Sequence, residues 1–462
     1  MEPEHIRFGG GASETFLNPF VAVWMIVAIV LILMLPRNKV ITPLLLTFFT
    51  IPIGQVVVLG GLHFTVLRIL ILAGLLRRAM FRSSTSEGKY PGGFNGLDQV
   101  VVLWTIATLV VINLQWMEQA MLIKSLGDFL DGLGAYLVVR LLIPDRAAIV
   151  RTMKVFAAIC VIQALFMISE QFTRINPFGY LGGISIWSTV RDGQVRSGGI
   201  LGCIYAGVFG GTLIPLFAWL WSEGRSRMAA VGGLAGAATM VITSHSSTSL
   251  LALGGSLLGL GFWPMRKRMR AIRWGLSLIL IGLHLVMKAP VWALIARIDL
   301  TGSSSGDHRY VLVDNCIRHF GDWWLIGYRY YNNWGWDMWD LCNQFVVVAL
   351  TGGLITLIFY IAIFSRSLGA IGRARKAAEG DRRQEWLLWC FGATMFSNVV
   401  AHFGINYMAQ LQMMLFPMLA CVSVAASGAQ KATVPAAASR GKLEFAAAPG
   451  AAGDYLPLGE AR

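Results

Sequence analysis

The chain has 462 residues, 56% hydrophobic and 13% charged, with a formal net charge of +14 and a mean hydropathy of +0.63. A soluble globular domain carries roughly 25% charged residues, so this composition excludes that class; apolar runs of about 20 residues read instead as an all-α, polytopic membrane protein. The runs are continuous, not alternating, which excludes a β-barrel, and the surplus Lys and Arg sits in short connectors, where topology and not nucleic-acid binding accounts for it.

The opening MEPEHIRFGGGASETF is acidic and lacks a basic n-region, so no cleavable signal peptide is expected. A first span is predicted from about Asn18 to Leu35, then Arg37 and Lys39. A second runs from Val40 to Leu59 and carries Pro43 and Pro52. The turn Gly60-Gly61 leads into a short third span, Leu62 to Leu76, whose His63 and Arg68 are costly in lipid and are expected to face the bundle interior. Arg77, Arg78, Arg82 and Lys89 mark a basic connector.

Spans four to seven are predicted at Val100–Leu114, Leu122–Ile143, Met153–Ser169 and Ile200–Trp221. A mixed loop with Arg174, Arg191 and Arg196 precedes the seventh. Spans eight and nine are short, Met228–Ile242 and Leu250–Trp263, with the polar knot Thr243-Ser244-His245-Ser246-Ser247-Thr248-Ser249 between them. The basic cluster Arg266 to Arg273 follows, then span ten at Gly275–Met287 and a polar insert. Spans eleven to thirteen fall at Phe345–Phe364, Trp386–Ala401 and Met408–Ala425. The chain thus divides into a transmembrane domain, 1–426, with an external loop at 288–343, and a polar tail, 427–462, expected to be disordered and cytoplasmic. Thirteen spans are expected, or twelve if a short one is re-entrant.

Alternate connectors are basic: 37–39, 77–89, 144–151, 225–227, 266–273 and 366–383. The positive-inside rule places these in the cytoplasm. The Arg174–Arg196 loop, the Ser/His knot and the insert then share the opposite face, where they can form one site.

The insert from Arg297 to Asn343 is the longest polar interruption, with four Arg, six Asp and two of the seven His, His308 and His319. Tyr310, Val313, Ile317 and Phe320 are spaced for an amphipathic helix. Arg309, Asp314 and Arg318 fall on or near its other side. His308 or His319 suits a general base, and Asp314–Arg318 suits an i,i+4 ion pair on a solvated helix. The run WWLIGYRYYNNWGWDMW suits sugar stacking or an interfacial aromatic belt. Arg191 and Arg196, in VRDGQVRSGGILG, suit a pyrophosphate: the guanidinium offers a fork of donors, and glycines let backbone N–H groups approach. They also suit lipid headgroups. The serines of the knot read as a helix N-cap or a polar cavity lining; His245 is harder to explain as structure. None of the six Cys has metal-site spacing, and Cys316 and Cys342, flanking the insert, can pair only if it faces an oxidising compartment.

The order of these features carries a resemblance. A segment R-x-G-x-I-x-G at Arg196 precedes a span, and a short helix pair follows with a Ser-rich break. Then come HRYVLVDNCIRHFGDWWLIG, an N-Q-F entry and the glycine-containing helix at Thr351-Gly352-Gly353. This pattern, over about 190–365, resembles the O-antigen ligase and O-antigen (exopolysaccharide) polymerase superfamily. The resemblance implies a bacterial inner-membrane glycosyltransferase that moves a polyprenyl-diphosphate-linked glycan onto a glycan or lipid A-core acceptor on the periplasmic side. It implies no metal and no cofactor. It also implies that Arg196 and Arg309 bind the donor diphosphate, with Arg191 nearby, and that Asn343 ends the periplasmic loop. Beside that Asn, ligases carry a His where this chain has Cys342; the Ser-rich break has His245 where an Arg often stands. Polymerase and ligase both stay open, and Asp340 or His308 becomes the candidate base. His245, Arg318 and Asn343 are further candidate substrate contacts. A transporter or flippase of lipid-linked or anionic solutes, or a structural subunit of an envelope complex, are the other readings.

Overall fold

The structure, a computed structural model, describes residues 15–80, 90, 93–224, 226–297 and 305–433. Helix α1 (Pro19–Met34) starts where Asn18 accepts a hydrogen bond from the Phe20 N–H and Pro19 presets the first turn. Helix α2 is only Ile41–Thr50. The expected second and third spans are therefore not continuous helices. Pro52 lacks an N–H, Gly54 turns the chain at φ +97°, and β1 (Val56–Leu59) pairs antiparallel with β2 (Leu62–Thr65). Gly60 and Gly61 make the two-residue hairpin turn at φ +59° and +77°. Helix α3 (Val66–Met80) follows.

Helix α4 (Gly96–Trp116) opens on a capping box between Asn95 and Asp98. Helices α5 (Gln119–Phe129) and α6 (Ala135–Leu142) join through a π-helical turn, Leu130–Gly134. That turn carries Asp131, whose carboxylate pairs with the buried Arg68 of α3 at 3.0 Å, so Arg68 faces the interior as expected. Asp98, Tyr136 and Arg140 form a second buried polar group, with the guanidinium 3.2 Å from the carboxylate. Helix α7 (Arg146–Thr173) is followed by the hairpin β3 (Thr189–Arg191) and β4 (Gln194–Arg196).

Helices α8 (Cys203–Ser222), α9 (Arg227–Thr243) and α10 (Ser247–Gly261) make the bundle centre, α8 packing against α7, α9, α10 and α15. Helix α11 (Met269–Val286) buries none of its residues. The insert contains α12 (Ser305–Arg318), the single turn α13 (Phe320–Trp323) and short 3-10 turns. Helices α14 (Gln344–Ala377), α15 (Arg382–His402) and α16 (Ala409–Thr433) complete the fold. α16 continues past Ser427 to Thr433, so the polar tail begins later than expected; its remainder, 434–462, lies outside the described residues.

Among the described residues, six helices are long and apolar enough to cross a membrane: Gly96–Trp116, Arg146–Thr173, Cys203–Ser222, Trp263–Val286, Gln344–Ala377 and Gln410–Gly428. Four shorter apolar helices, α1, α2, α9 and α10, accompany them. The chain is an all-α, multi-pass membrane protein, with two small hairpins among the described residues. Its connectors sort to two ends. At one, Arg146 reaches Gln384 and Glu223, Arg266 reaches Glu385, and Arg37 reaches the Leu141 carbonyl. At the other lie the β3–β4 hairpin, the α9–α10 turn, the insert and the α15–α16 turn.

Candidate functional site

The α9–α10 turn is the centre of that second end. Ser244 Oγ donates back to the Val241 carbonyl, and His245 turns the chain at φ +41°. The turn's serines do not cap α10: Ser246, at the N-cap, makes no side-chain cap bond. Ser247 and Thr248 instead accept from Arg309 Nη2, at 2.9 and 3.1 Å. Thr248 Oγ1 donates its own proton to the Gly404 carbonyl at 3.0 Å. One threonine thereby ties α10, α12 and the α15–α16 turn together.

Arg309 is 3% exposed on α12, the amphipathic helix expected in the insert. Arg196 approaches the same turn from the other side. Ser197 N–H donates to the Thr243 carbonyl at 3.0 Å, and Arg196 Nε lies 3.5 Å from the Ser244 carbonyl. The two guanidinium groups therefore flank residues 244–248. The three segments expected to share one site do meet.

Arg196 ends β4 opposite Thr189, and Arg191 ends β3 opposite Gln194. In this antiparallel ladder the two arginines are diagonal neighbours on one face, about 7–8 Å apart. Asp192 and Gly193, at φ +53° and +75°, form the turn, leaving Arg191 exposed at the tip, 3.6 Å from Asp192. Asp-Gly between the two strands is a hairpin signal legible in the sequence.

The glycine loop is used differently from expectation. The N–H groups of Gly198 and Gly199 both donate to Glu170 Oε2, at 3.0 and 2.9 Å, and Ser188 Oγ donates to Oε1. Gln163 accepts from the Ile200 N–H, and Asn176 donates to the Gly199 carbonyl. These backbone donors are committed to a buried carboxylate from α7, which fixes the segment behind Arg196 instead of receiving an anion. A carboxylate at the end of an apolar span is a sequence signal for such an anchor.

His308 Nε2 lies 2.9 Å from the Asp340 backbone carbonyl. A carbonyl only accepts, so Nε2 is the donor in this contact. The Asp340 side chain is exposed and lies near Tyr205 in the first turn of α8. Tyr205 donates to Asn406 Oδ1 at 2.8 Å. Behind Asn406, Tyr407 N–H donates to Gln344 Oε1 and Tyr407 O–H to Asn398. His402, between Tyr360 and the Asn398 carbonyl, completes this buried support. Glu170 and Tyr205 were not singled out from the sequence, and Thr248 entered only as one hydroxyl of the polar knot.

The other candidates fall elsewhere. Asn343, 1% exposed, caps α14 by accepting from Phe345 and Val346 N–H. Arg318 pairs with Asp314 at 2.6 Å, the i,i+4 bond expected, while Trp292 donates to the same carboxylate. The Asp314 hydrogen bond, then its charge, hold that guanidinium above its ordinary pKa. His319 stacks on Trp334, which stacks on Tyr328, at 4.5 and 5.1 Å with nearly parallel rings. His245 is exposed at the turn. No disulfide joins Cys316 and Cys342, and burial pushes the Cys316 thiol up to about 12. Among the described residues no three His, Cys, Asp or Glu gather as a metal site.

No protein-family model and no curated protein matches the chain.

Proposed function

We propose that this chain is a bacterial inner-membrane glycosyltransferase that moves a polyprenyl-diphosphate-linked glycan onto an acceptor sugar at the periplasmic face, as an O-antigen or exopolysaccharide polymerase or ligase. The observation that carries the reading is the convergence of Arg309 and Arg196 on residues 244–248. Two guanidinium groups on one polar turn suit a diphosphate better than a single-charge ligand. The reading takes the six long and four shorter apolar helices as membrane segments, with the basic connectors cytoplasmic.

In this mechanism the acceptor hydroxyl gives its proton to His308 or to the Asp340 carboxylate. Its oxygen attacks the anomeric carbon of the donor sugar. The bond from that carbon to the diphosphate oxygen breaks, and Arg309 and Arg196 stabilise the charge that develops there. The product is a lengthened glycan or a glycosylated lipid A-core, with polyprenyl diphosphate as leaving group.

The test is glycan analysis of a deletion strain complemented with wild type, Arg309→Ala or Arg196→Ala at matched membrane levels. Loss of polymer in both variants is expected. A polymerase defect leaves single repeat units, and a ligase defect leaves full-length lipid-linked polymer. Wild-type glycan length and amount in both variants overturn the reading, as do units trapped on the cytoplasmic side, the signature of a flippase.

A further inference from the structure

Between α1 and α2 runs a groove of about 310 Å³, lined by Trp24, Leu31 and Leu35 on one wall and by Thr42, Leu46 and Thr47 on the other. Lys39 stands at its mouth, exposed and without an acidic partner among the described residues. Three observations bear on what fills it.

The first is length. Trp24 to Leu35 spans about 16 Å at the helical rise, close to half of a hydrocarbon core of about 30 Å. The groove is one leaflet deep, the reach of one acyl chain. The second is charge. Lys39 lies beside Arg37 and near Arg77, which caps α1 through the Ile32 and Leu33 carbonyls at 2.6 and 2.9 Å. Arg37 and Arg77 are close enough for their charges to interact. The third is an orphaned donor. Thr47 is 1% exposed, and its Oγ1 has no hydrogen-bond partner among the described residues. A buried hydroxyl with no acceptor is costly, and this one belongs to the wall of the groove.

We infer that the α1–α2 groove holds an anionic phospholipid of the leaflet at the basic end, one acyl chain against Leu31 and Leu46 and its phosphate on Lys39. This site is independent of the glycosyl-transfer reading. It sits at the other end of the molecule from Arg309 and involves none of the same residues.

The full chain, purified in detergent and reconstituted in phosphatidylcholine vesicles, is labelled with a phosphatidylglycerol carrying a diazirine on its acyl chain. Crosslinks are mapped by mass spectrometry. Helix α11, which buries nothing, reports general lipid contact. The expected result is labelling of the 24–47 peptide above that of α11, competed by unlabelled phosphatidylglycerol and not by extra phosphatidylcholine. Lys39→Glu should lower it roughly tenfold. Leu31→Trp, which fills the groove from a half-exposed position, should lower it with Lys39 intact. Equal labelling of α1–α2 and α11, equal competition by both lipids, or stronger competition by a polyprenyl phosphate overturns the assignment.

Discussion

Gly327 and Gly353 lie back to back where the polar insert meets α14. Gly353 breaks the helix at φ +67° and ψ −173°. A Cβ there would stand 2.6 Å from the Leu325 carbonyl oxygen and 3.2 Å from the Gly327 nitrogen. The break releases backbone groups in a membrane span, and the insert satisfies them. Tyr328 N–H donates to the Leu350 carbonyl at 2.7 Å, and Leu354 N–H donates to the Trp324 carbonyl at 2.8 Å. Gln115 of α4 also donates to Leu350. The insert is thus fastened to the bundle by backbone bonds at the point where α14 opens.

Gly353→Ala should therefore destabilise the protein by at least about 1–3 kcal/mol, the cost of forcing a Cβ into a glycine-only conformation. Thermal unfolding in detergent should shift down by several degrees relative to Gly372→Ala, whose Cβ meets nothing. Equal melting of the two variants would show that the insert moves aside freely.

Thr248→Val removes one acceptor of Arg309, leaving Ser247, and the donor to Gly404 in one step. If the proposed glycosyl transfer is this protein's activity, it should fall roughly tenfold, about 1.4 kcal/mol, in membranes carrying Thr248→Val, while Thr248→Ser stays near wild type. The measurement is polymer formed per unit of protein from a lipid-linked donor. Full activity in Thr248→Val means Arg309 is held without this hydroxyl.

Glu170→Ala leaves the Gly198 and Gly199 N–H groups without their acceptor. A loss of about 1–3 kcal/mol is expected, with faster amide exchange at those two glycines. Glu170→Gln keeps one carbonyl oxygen for the glycines and should recover most of the stability. Unchanged exchange in Glu170→Ala would mean the loop is held by Gln163 and Asn176 alone.

Cys316 should resist maleimide at neutral pH in the folded protein. Burial raises its thiol from the ordinary value of 9.0 to about 12, so thiolate is about a thousandfold scarcer than for an ordinary thiol. The half-buried Cys342 should label faster. The order of modification, read by mass spectrometry before and after denaturation, checks this.

The span boundaries were legible because apolar length is a direct consequence of the bilayer, and α4, α7, α8 and α14 fall where hydropathy puts them. The second and third spans were not, because Val56 to Val58 are as apolar in a strand as in a helix, and only the Gly60-Gly61 turn separates the cases. In the site, Arg309 and Arg196 stood out as charges beside apolar runs. Thr248 did not, since a serine-rich break reads as a cap until the guanidinium across from it is seen. Glu170 was hidden for the same reason: its partners are backbone N–H groups, which every sequence possesses.

The bond from Tyr205 to Asn406 joins residues separated by 201 positions. Thr248 likewise waits for Gly404, separated from it by 156. Both partners lie in the turn between the last two helices. During synthesis, α8 and α10 enter the membrane long before that turn exists, and Arg309 has no finished seat until α15 has been threaded through. The site is an event of late assembly: a chain stopped between residues 309 and 404 carries both arginines and the turn they contact, and still lacks the Gly404 carbonyl that holds Thr248.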